Sequence, residues 1–252
     1  MIEMSQKTDG LIIKTVMLAG RIMIESGADM ARVDDTLKRI ARNAGIKDPK
    51  IFETTTGITM SIPDRHEAQV EPINKRTIDL EKVARVNDAS RAFQNKQLSL
   101  PNFYLKLIAI DVSAPFFAFY WQLMAAALVS ATLVIMYGAS WRDFLPTALV
   151  GALGYTCFYF INSRYKIRFV SEFLAALLIG FSAVMLVRFN LGYSVDRIII
   201  GALMPLVPGV PLTNAVRDLL AGHILSGMAR AMEAILTACA LGLGIAFILK
   251  FM

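Results

Sequence analysis

Thirty consecutive uncharged residues, between Asp111 and Arg142, constrain the fold more than any other feature of this sequence. A helix needs roughly 20 mostly apolar residues to cross the hydrocarbon core of a bilayer. Surface helices of soluble domains seldom extend so far without a charge, because one of their faces meets water. The sequence therefore predicts an α-helical integral membrane protein.

The charged residues are concentrated at one end of the chain. Residues 1–113 contain 17 of the 26 Lys and Arg residues and 15 of the 20 Asp and Glu residues. Such a break separates a segment that faces water from one that faces lipid. We predict a small cytoplasmic α+β domain over residues 1–110 and a transmembrane helical domain over residues 111–252. No nucleic-acid partner is expected, since basic residues beside membrane spans usually set orientation.

The apolar region is predicted to form about five transmembrane helices. Their predicted bounds are 113–138, 144–162, 169–189, 198–212 and 232–249. The most basic short loop contains Arg164, Lys166 and Arg168, and we expect it in the cytoplasm together with the N-terminus. The loop with Arg188 and Arg197 then lies outside. Its two positive charges agree less well with the tendency of basic residues to lie on the cytoplasmic side.

The fourth predicted span ends in a proline-rich run, MPLVPGVPLTNAVRD, at residues 204–218. Proline lacks a backbone donor and clashes with the preceding turn, so Pro205, Pro208 and Pro211 are expected to interrupt the helix. The freed backbone groups of a broken helix must face protein or a water-filled cavity. In many transporters such a break forms part of the substrate site. The alternative is a proline-capped helix end at the cytoplasmic surface, followed by an amphipathic segment.

Three carboxylates near the predicted spans are candidates for ion or proton coupling. Ionisable residues within a membrane are costly and are usually functional. Glu172 and Glu233 lie just inside the predicted cytoplasmic boundary, and Asp218 follows the prolines. The alternative is that the two glutamates reach the interface or pair with Arg168 or Arg230, and that Asp218 belongs to a solvated connection.

Small residues recur at every fourth position of the fifth predicted span, at Ala234, Ala238, Gly242 and Ala246. Such a stripe allows two helices to approach closely. Two interpretations stay open: the stripe packs within this chain, or it forms a face for another subunit. A homo-oligomer is one form of the second interpretation.

The N-terminal region alternates helical and strand patterns. The predicted elements are helices over 8–26, 29–44 and 77–97 and strands over 50–62 and 68–73, with a turn at 63–66. Asp29 is the predicted cap of the second helix. The sequence contains no evident nucleophile motif, metal-ligand spacing or phosphate loop, so no enzyme activity, cofactor or metal is predicted.

Six short segments form a series along the chain. They are ESGA (25–28), RVD (32–34), TGI (56–58), LVPGVPLTNAVRD (206–218), GHI (222–224) and GMAR (227–230). In this order they resemble the threonine/serine exporter family, over nearly the whole chain. The resemblance implies a bacterial secondary exporter of small amino acids in the cytoplasmic membrane. A split form of the family is similar to the larger subunit of a two-part succinate exporter.

The resemblance also implies functional residues in and near the proline-rich run. Carried over by motif, substrate binding is expected at Pro208, Gly209, Pro211, Asn214 and Arg217, and Asp218 is expected nearby as a proton or ammonium partner. Glu233 and Glu172 are candidates for ion or proton coupling because of their position in the predicted spans. The unwound backbone would offer dipoles to the substrate, and Arg217 would attract a carboxylate. Fused members continue into a second multi-span half, so ending at Met252 predicts a separate small membrane subunit. The alternatives are a membrane-anchored enzyme and a metabolite-sensing regulator that act through the N-terminal domain.

Overall fold

The computed structural model describes residues 2–62, 68–113, 117–165, 167 and 169–251. Its chain divides into two compact units. The first unit comprises Met1–Phe116 and Val210–Ala231, and the second comprises Phe117–Gly209 and Met232–Met252. The predicted turn at 63–66 lies outside the described residues.

The first unit begins with four helices and a three-stranded sheet. The elements are α1 (Ile2–Glu25), α2 (Met30–Asn43), β1 (Lys50–Thr54), β2 (Gly57–Ser61), β3 (Ala68–Pro72), α3 (Leu80–Gln94) and α4 (Leu100–Val112). The sheet has the order β1-β2-β3, and the core lies between the helices and β2, where Ile58 and Met60 are fully buried. This agrees with the predicted small α+β domain.

The predicted single strand over 50–62 is wrong, because the stretch folds back on itself. β1 and β2 form an antiparallel hairpin in which Thr54 pairs with Gly57. The hydroxyl of Thr54 accepts hydrogen bonds from the N–H groups of Thr56, at 3.3 Å, and Gly57, at 3.2 Å, and so stabilises the turn. β3 pairs antiparallel with β2, which confirms the predicted returning strand.

The packing of the first unit continues past the predicted boundary at residue 110. α4 begins at Leu100, and Pro101 occupies its first turn, a position that needs no backbone donor. Three of its side chains join the core: Phe103, Leu107 and Ile110. The Arg21 side chain donates a hydrogen bond to Asp111 at 2.9 Å. α4 therefore belongs to the N-terminal packing and not to the first span.

Four of the described helices of the second unit are long and apolar, and one is short. They are α5 (Phe119–Met136), α6 (Phe144–Tyr165), α7 (Val170–Arg188), α8 (Val195–Leu203) and, from residue 232 onward, α10 (Ile224–Phe251). Among the described residues, α5, α6, α7 and α10 have the length and composition of a membrane span. The pair Val195–Leu206 and Gly209–Leu220 supplies a fifth only if it counts as one bent span. This agrees with the predicted fold class.

The proline-rich run interrupts the helix over a shorter stretch than predicted. α8 continues into a 3-10 turn that contains Pro205, and the chain leaves helical geometry at Val207 and Pro208. α9 (Gly209–Leu220) then begins at once, with Pro211 in its first turn, where a missing N–H group is harmless. The predicted single span 198–212 is therefore two helices, and the segment after the break is helical.

A buried carboxylate organises one end of the second unit. Asp143, just before α6, is fully buried. Its Oδ1 atom accepts hydrogen bonds from the N–H groups of Tyr193, at 2.6 Å, and Ser194, at 3.4 Å. The carboxylate thus attaches the start of α6 to the loop that leads into α8. Asp143 is not among the residues that the sequence analysis singled out.

The small-residue stripe of α10 is mostly uncovered. Ala234 is buried, whereas Ala238, Gly242 and Ala246 are exposed. A Cβ atom added to Gly242 would meet no atom of the described residues within 4 Å. Packing among the described residues therefore explains only the first residue of the stripe.

Candidate functional site

The loop between α1 and α2 forms one side of the candidate site. Gly27 adopts φ of +87°, a left-handed conformation that glycine allows without strain. Asp29 caps α2 as predicted: its Oδ1 atom accepts a hydrogen bond from the N–H group of Arg32 at 3.0 Å. The loop belongs to the segment whose sequence begins ESGA.

α9 contacts this loop through residues on one face. The amide of Asn214 donates to the carbonyl oxygen of Gly27 at 2.9 Å. One turn further along, the guanidinium group of Arg217 donates to Oδ2 of Asp29 at 3.1 Å. The spacing of three residues places both side chains on the same side of the helix.

Asp218 and Arg230 form the buried centre of the site. Asp218 is fully buried, and its Oδ1 atom accepts a hydrogen bond from the N–H group of Met30 at 2.7 Å. Nε of Arg230 lies 3.4 Å from the other carboxylate oxygen, and Nη2 donates to the carbonyl oxygen of Ala28 at 2.6 Å. A buried charge is tolerated only when it is paired in this way.

These contacts define the Asp29–Asp218 cluster. Its members are Gly27, Ala28, Asp29, Met30, Asn214, Arg217, Asp218 and Arg230. All eight belong to the first unit. The cluster therefore joins the ESGA segment to the LVPGVPLTNAVRD and GMAR segments, which lie about two hundred positions away along the chain.

Two glycines allow α9 and α10 to approach each other closely enough to present both Asp218 and Arg230. Gly222, between the helices, has φ of +86°. A Cβ atom added at Gly227 would lie 2.7 Å from the Leu219 side chain and 3.0 Å from the carbonyl oxygen of Ala215. A larger residue would therefore force the two helices apart.

The structure places the predicted substrate-binding residues at different points. Pro208 lies in the break, and Gly209 and Pro211 lie in the first turn of α9. Asn214 and Arg217 belong to the Asp29–Asp218 cluster. Asn214 and Arg217 donate their hydrogen bonds to Gly27 and Asp29 of the N-terminal loop.

The predicted coupling residues are divided between the two units. Asp218 belongs to the first unit, and Glu172 and Glu233 belong to the second. Glu172 is buried on α7, where its Oε2 atom accepts a hydrogen bond from the hydroxyl of Ser171 at 3.0 Å. Glu233 is half-buried on α10.

A polar cavity of about 360 Å³, here called the Glu53 pocket, opens beside the cluster within the first unit. Its walls are Asp34, Lys38, residues 51–54 and residues 222–226. Glu53 is 8% exposed, and no described group donates a hydrogen bond to its Oε2 atom. Nδ1 of His223 lies 4.0 Å from Oε1. Burial, assisted by the negative charge of Asp34, raises the pKa of Glu53 to about 7.

Sequence reasoning missed Glu53, although the strand pattern contained a signal. Residues two apart on a strand share a face, so Glu53 is in phase with Ile51 and points inward. An acidic residue at an inward position is a candidate for a site, because burying it is costly without a partner. Among the described residues, no group of three or more His, Cys, Asp or Glu side chains is placed to hold a metal ion.

A small α+β module and apolar helices of span length together define a multi-pass membrane protein. A family model described as "Putative threonine/serine exporter" (ThrE) matches residues 14–252, and the chain belongs to this family. The predicted resemblance is therefore confirmed. The family is one of transporters, which agrees with the expectation that the chain is not an enzyme. No curated protein and no solved structure matches the chain.

Proposed function

We propose that this chain is the larger subunit of a bacterial secondary exporter, which moves threonine and serine, or a dicarboxylate such as succinate, out of the cytoplasm. Its first unit lies on the cytoplasmic side of the cytoplasmic membrane, and a separate small membrane protein completes the transporter. The family match supports the export of threonine and serine. The Asp29–Asp218 cluster is the observation on which the mechanism rests, because it joins the N-terminal module to the helix that follows the proline break.

Arg217 is the proposed contact for the substrate carboxylate. Its side chain is 59% exposed although it donates to Asp29, so a solute can reach the guanidinium group. Guanidinium groups bind carboxylates well, and a substrate carboxylate can exchange for that of Asp29. Pro208, Gly209 and Pro211 contribute backbone dipoles at the break, and Asn214 contributes its amide.

Asp218 is the proposed proton or ammonium partner, together with Glu233 and Glu172. Asp218 is fully buried and accepts a hydrogen bond from Met30, so it exchanges a proton only when the cluster opens. We infer that export alternates between a closed cluster and one in which the N-terminal loop has released Asp218. Export is then driven by an ion gradient.

The small membrane partner is proposed to cover the uncovered stripe of α10. Ala238, Gly242 and Ala246 are exposed at four-residue spacing, which suits close contact with another helix. If this chain and its partner are homologous and each has an odd number of spans, the two would have opposite orientations in the membrane. Such inverted repeats are common in transporters.

Replacing Arg217 with Gln tests the export mechanism. We expect R217Q to abolish efflux while the protein remains in the membrane, because the carboxylate contact is lost. The matched control is R32Q, since Arg32 also pairs with Asp29, at 3.4 Å, and its side chain is 52% exposed. Unchanged efflux in R217Q would exclude Arg217 from the mechanism.

Efflux of labelled threonine, serine and succinate, from cells with and without the candidate partner, tests the function itself. Export that requires both proteins is expected. Equal efflux in cells with neither protein would instead favour a membrane-anchored enzyme or a metabolite-sensing regulator. The regulator has one specific observation in its favour, which is the Glu53 pocket within the N-terminal module.

A further inference from the structure

The Glu53 pocket takes no part in the transport steps proposed above. Acidic side chains lie on one of its sides, and the start of α10 lies on the other. We propose that it is a separate binding site for a small zwitterionic amino acid, whose ammonium group is bound by Glu53 and whose carboxylate lies at the start of α10. This inference rests on the proposed function, because the ligand is the exported amino acid itself.

The acidic side of the pocket lacks a donor. The Glu53 side chain is 5% exposed, and its Oε2 atom receives no hydrogen bond from the described residues. A buried carboxylate in this condition is costly, and a ligand that supplies N–H donors and a positive charge removes the penalty. Lys38 attracts Glu53 electrostatically, but its Nζ atom donates to Asp34 at 2.8 Å and makes no hydrogen bond to Oε2 of Glu53. A primary ammonium group has the required chemistry.

The opposite side of the pocket is electropositive. Residues 222–226 include the first turn of α10, a helix of 28 residues. The N–H groups of Ile224 and Gly227 already donate to the carbonyl oxygens of Gly222 and His223, both at 2.9 Å. The donors at this end that can meet a ligand are therefore those of Leu225 and Ser226. The helix dipole adds a partial positive charge there. Carboxylates bind at such positions. The imidazole of His223 and the hydroxyl of Ser226 belong to the same wall.

The arrangement selects against ligands that carry only one kind of charge. A dicarboxylate would bring a second anion to Glu53 and Asp34, and a simple amine would leave the start of α10 without its anion. The cavity of about 360 Å³ accommodates a small side chain beside Ile51 and Leu225. Threonine and serine therefore fit its charge and size.

The pocket is connected to the Asp29–Asp218 cluster by one residue. The N–H group of His223 donates to the carbonyl oxygen of Asp218 at 2.9 Å. A ligand that engages the His223 wall therefore contacts the same chain segment that presents Asp218. We infer that the site reports the cytoplasmic amino-acid concentration to the cluster.

Equilibrium binding of labelled L-threonine to the purified full-length protein in detergent tests the site. L-serine should compete, whereas 3-hydroxybutyrate, 1-amino-2-propanol and succinate should not, because each lacks one of the two charged groups. We expect E53Q to weaken binding by roughly tenfold or more, as for loss of a charge-assisted hydrogen bond. The control is D48N, since Asp48 pairs with Lys50 on the exposed surface.

Three results would overturn the inference. They are no binding to the wild-type protein, equal affinity in E53Q, and competition by succinate as effective as that by serine. If E53Q does not accumulate, the wild-type protein still decides the question.

The pH dependence of threonine binding is a second test on the wild-type protein. Threonine should bind more tightly as the pH rises through about 7, because Glu53, which lies among Asp34, Lys38 and His223, then becomes negatively charged. A constant affinity would count against the site.

Efflux measurements separate this inference from the proposed function. If the wild-type protein exports threonine but E53Q binds it as tightly as the wild type does, only the inference fails. If binding depends on Glu53 but no efflux is found with the partner present, the proposed function fails and the pocket remains as the site of a sensor.

Discussion

Asp218 illustrates how much a single residue depends on its neighbours in this protein. The side chain is fully buried, with the N–H group of Met30 on one oxygen and Arg230 3.4 Å from the other. In such a pair, removal of one partner is more damaging than removal of both, because a lone buried charge has no compensation.

The first prediction concerns this pair. R230M should destabilise the first unit by about 3–5 kcal/mol, because Asp218 is left charged and unpaired. The double variant D218N/R230M should be less destabilised than R230M. Circular dichroism is the suitable measurement, since the two tryptophans, Trp121 and Trp141, lie in the second unit and report on that unit. A double variant that is worse than R230M would show that the pair is not the dominant interaction.

The second prediction concerns the pH dependence of stability. The pKa of Glu53 is raised by folding to about 7, so the folded state holds a proton that the unfolded state has already released. The stabilisation is complete below the ordinary pKa of glutamate and is lost as the pH rises through about 7.

Melting temperatures of wild type and E53Q, measured between about pH 5 and about pH 8, test this linkage. The wild type should lose stability relative to E53Q across that range. E81Q is the control, because Glu81 is exposed and pairs with Arg85 at 3.1 Å on the surface. Repeating the comparison in the H223N background removes the nearby imidazole. Parallel curves for wild type and E53Q would contradict the assignment.

At the scale of elements, three helices of the second unit meet at a glycine. A Cβ atom added to Gly201 on α8 would lie 2.8 Å from Thr147 of α6 and 2.9 Å from Val134 of α5. The backbone oxygen of Ser130 would be 3.0 Å away. The absence of a side chain at residue 201 is therefore what permits α8 to pack against α5 and α6.

The third prediction follows from this close packing. G201A should destabilise the second unit by about 1–3 kcal/mol, because overpacked atoms must move apart. G242A is the matched control, since a Cβ atom there meets nothing within 4 Å. Tryptophan fluorescence during thermal unfolding measures both variants, because both tryptophans lie in this unit. Equal melting temperatures for the two variants would contradict the close contact.

Elements that depend on interactions between residues close in sequence could be predicted from the sequence. The Asp29 cap reaches only three residues, and the apolar runs that became α5, α6 and α7 needed no knowledge of the fold. The β1–β2 turn was missed because threonine favours strands, whereas here the Thr54 hydroxyl stabilises a turn. The proline run was predicted to unwind the chain, but Pro211 occupies a first turn, where proline is tolerated.

The candidate site was less predictable, since its contacts are distant in sequence. Asp29 and Arg217 are separated by 188 positions, and no periodicity in one sequence connects them. Resemblance to a family identified the segments that meet, but not the fact that they meet. The alternation of inward and outward residues in the strand indicated that Glu53 points inward. It did not indicate the residues opposite Glu53, which come from α2 and from the α9–α10 connection.

At the scale of the whole molecule, α10 offers two faces with different neighbours. Gly244 is covered within the chain, since an added Cβ atom would lie 2.8 Å from both the Ala176 side chain and the Phe173 carbonyl oxygen. A Cβ atom added to Gly242, two positions earlier, would meet none of the described residues within 4 Å. A matched pair of substitutions can therefore separate folding from association.

The fourth prediction uses this pair. G244L should impair folding of the chain, because the clash involves backbone. G242L should leave folding intact but abolish association with the proposed membrane partner and thereby efflux. Detergent gel filtration of the chain alone and copurification with the partner are the measurements. Copurification that is unaffected by G242L would exclude the stripe as the interface.

The Asp29–Asp218 cluster has a consequence for genetics. On the N-terminal side, three of its five contacts use main-chain atoms: the carbonyl oxygens of Gly27 and Ala28 and the N–H group of Met30. A substitution at one of these residues keeps the main-chain atoms that make the contact. A substitution of Arg217 or Arg230 removes the guanidinium group that makes it. A random screen for loss of export should therefore recover more alleles at Arg217, Asp218 and Arg230 than at Ala28 and Met30, and would underestimate the contribution of the main chain at those two positions.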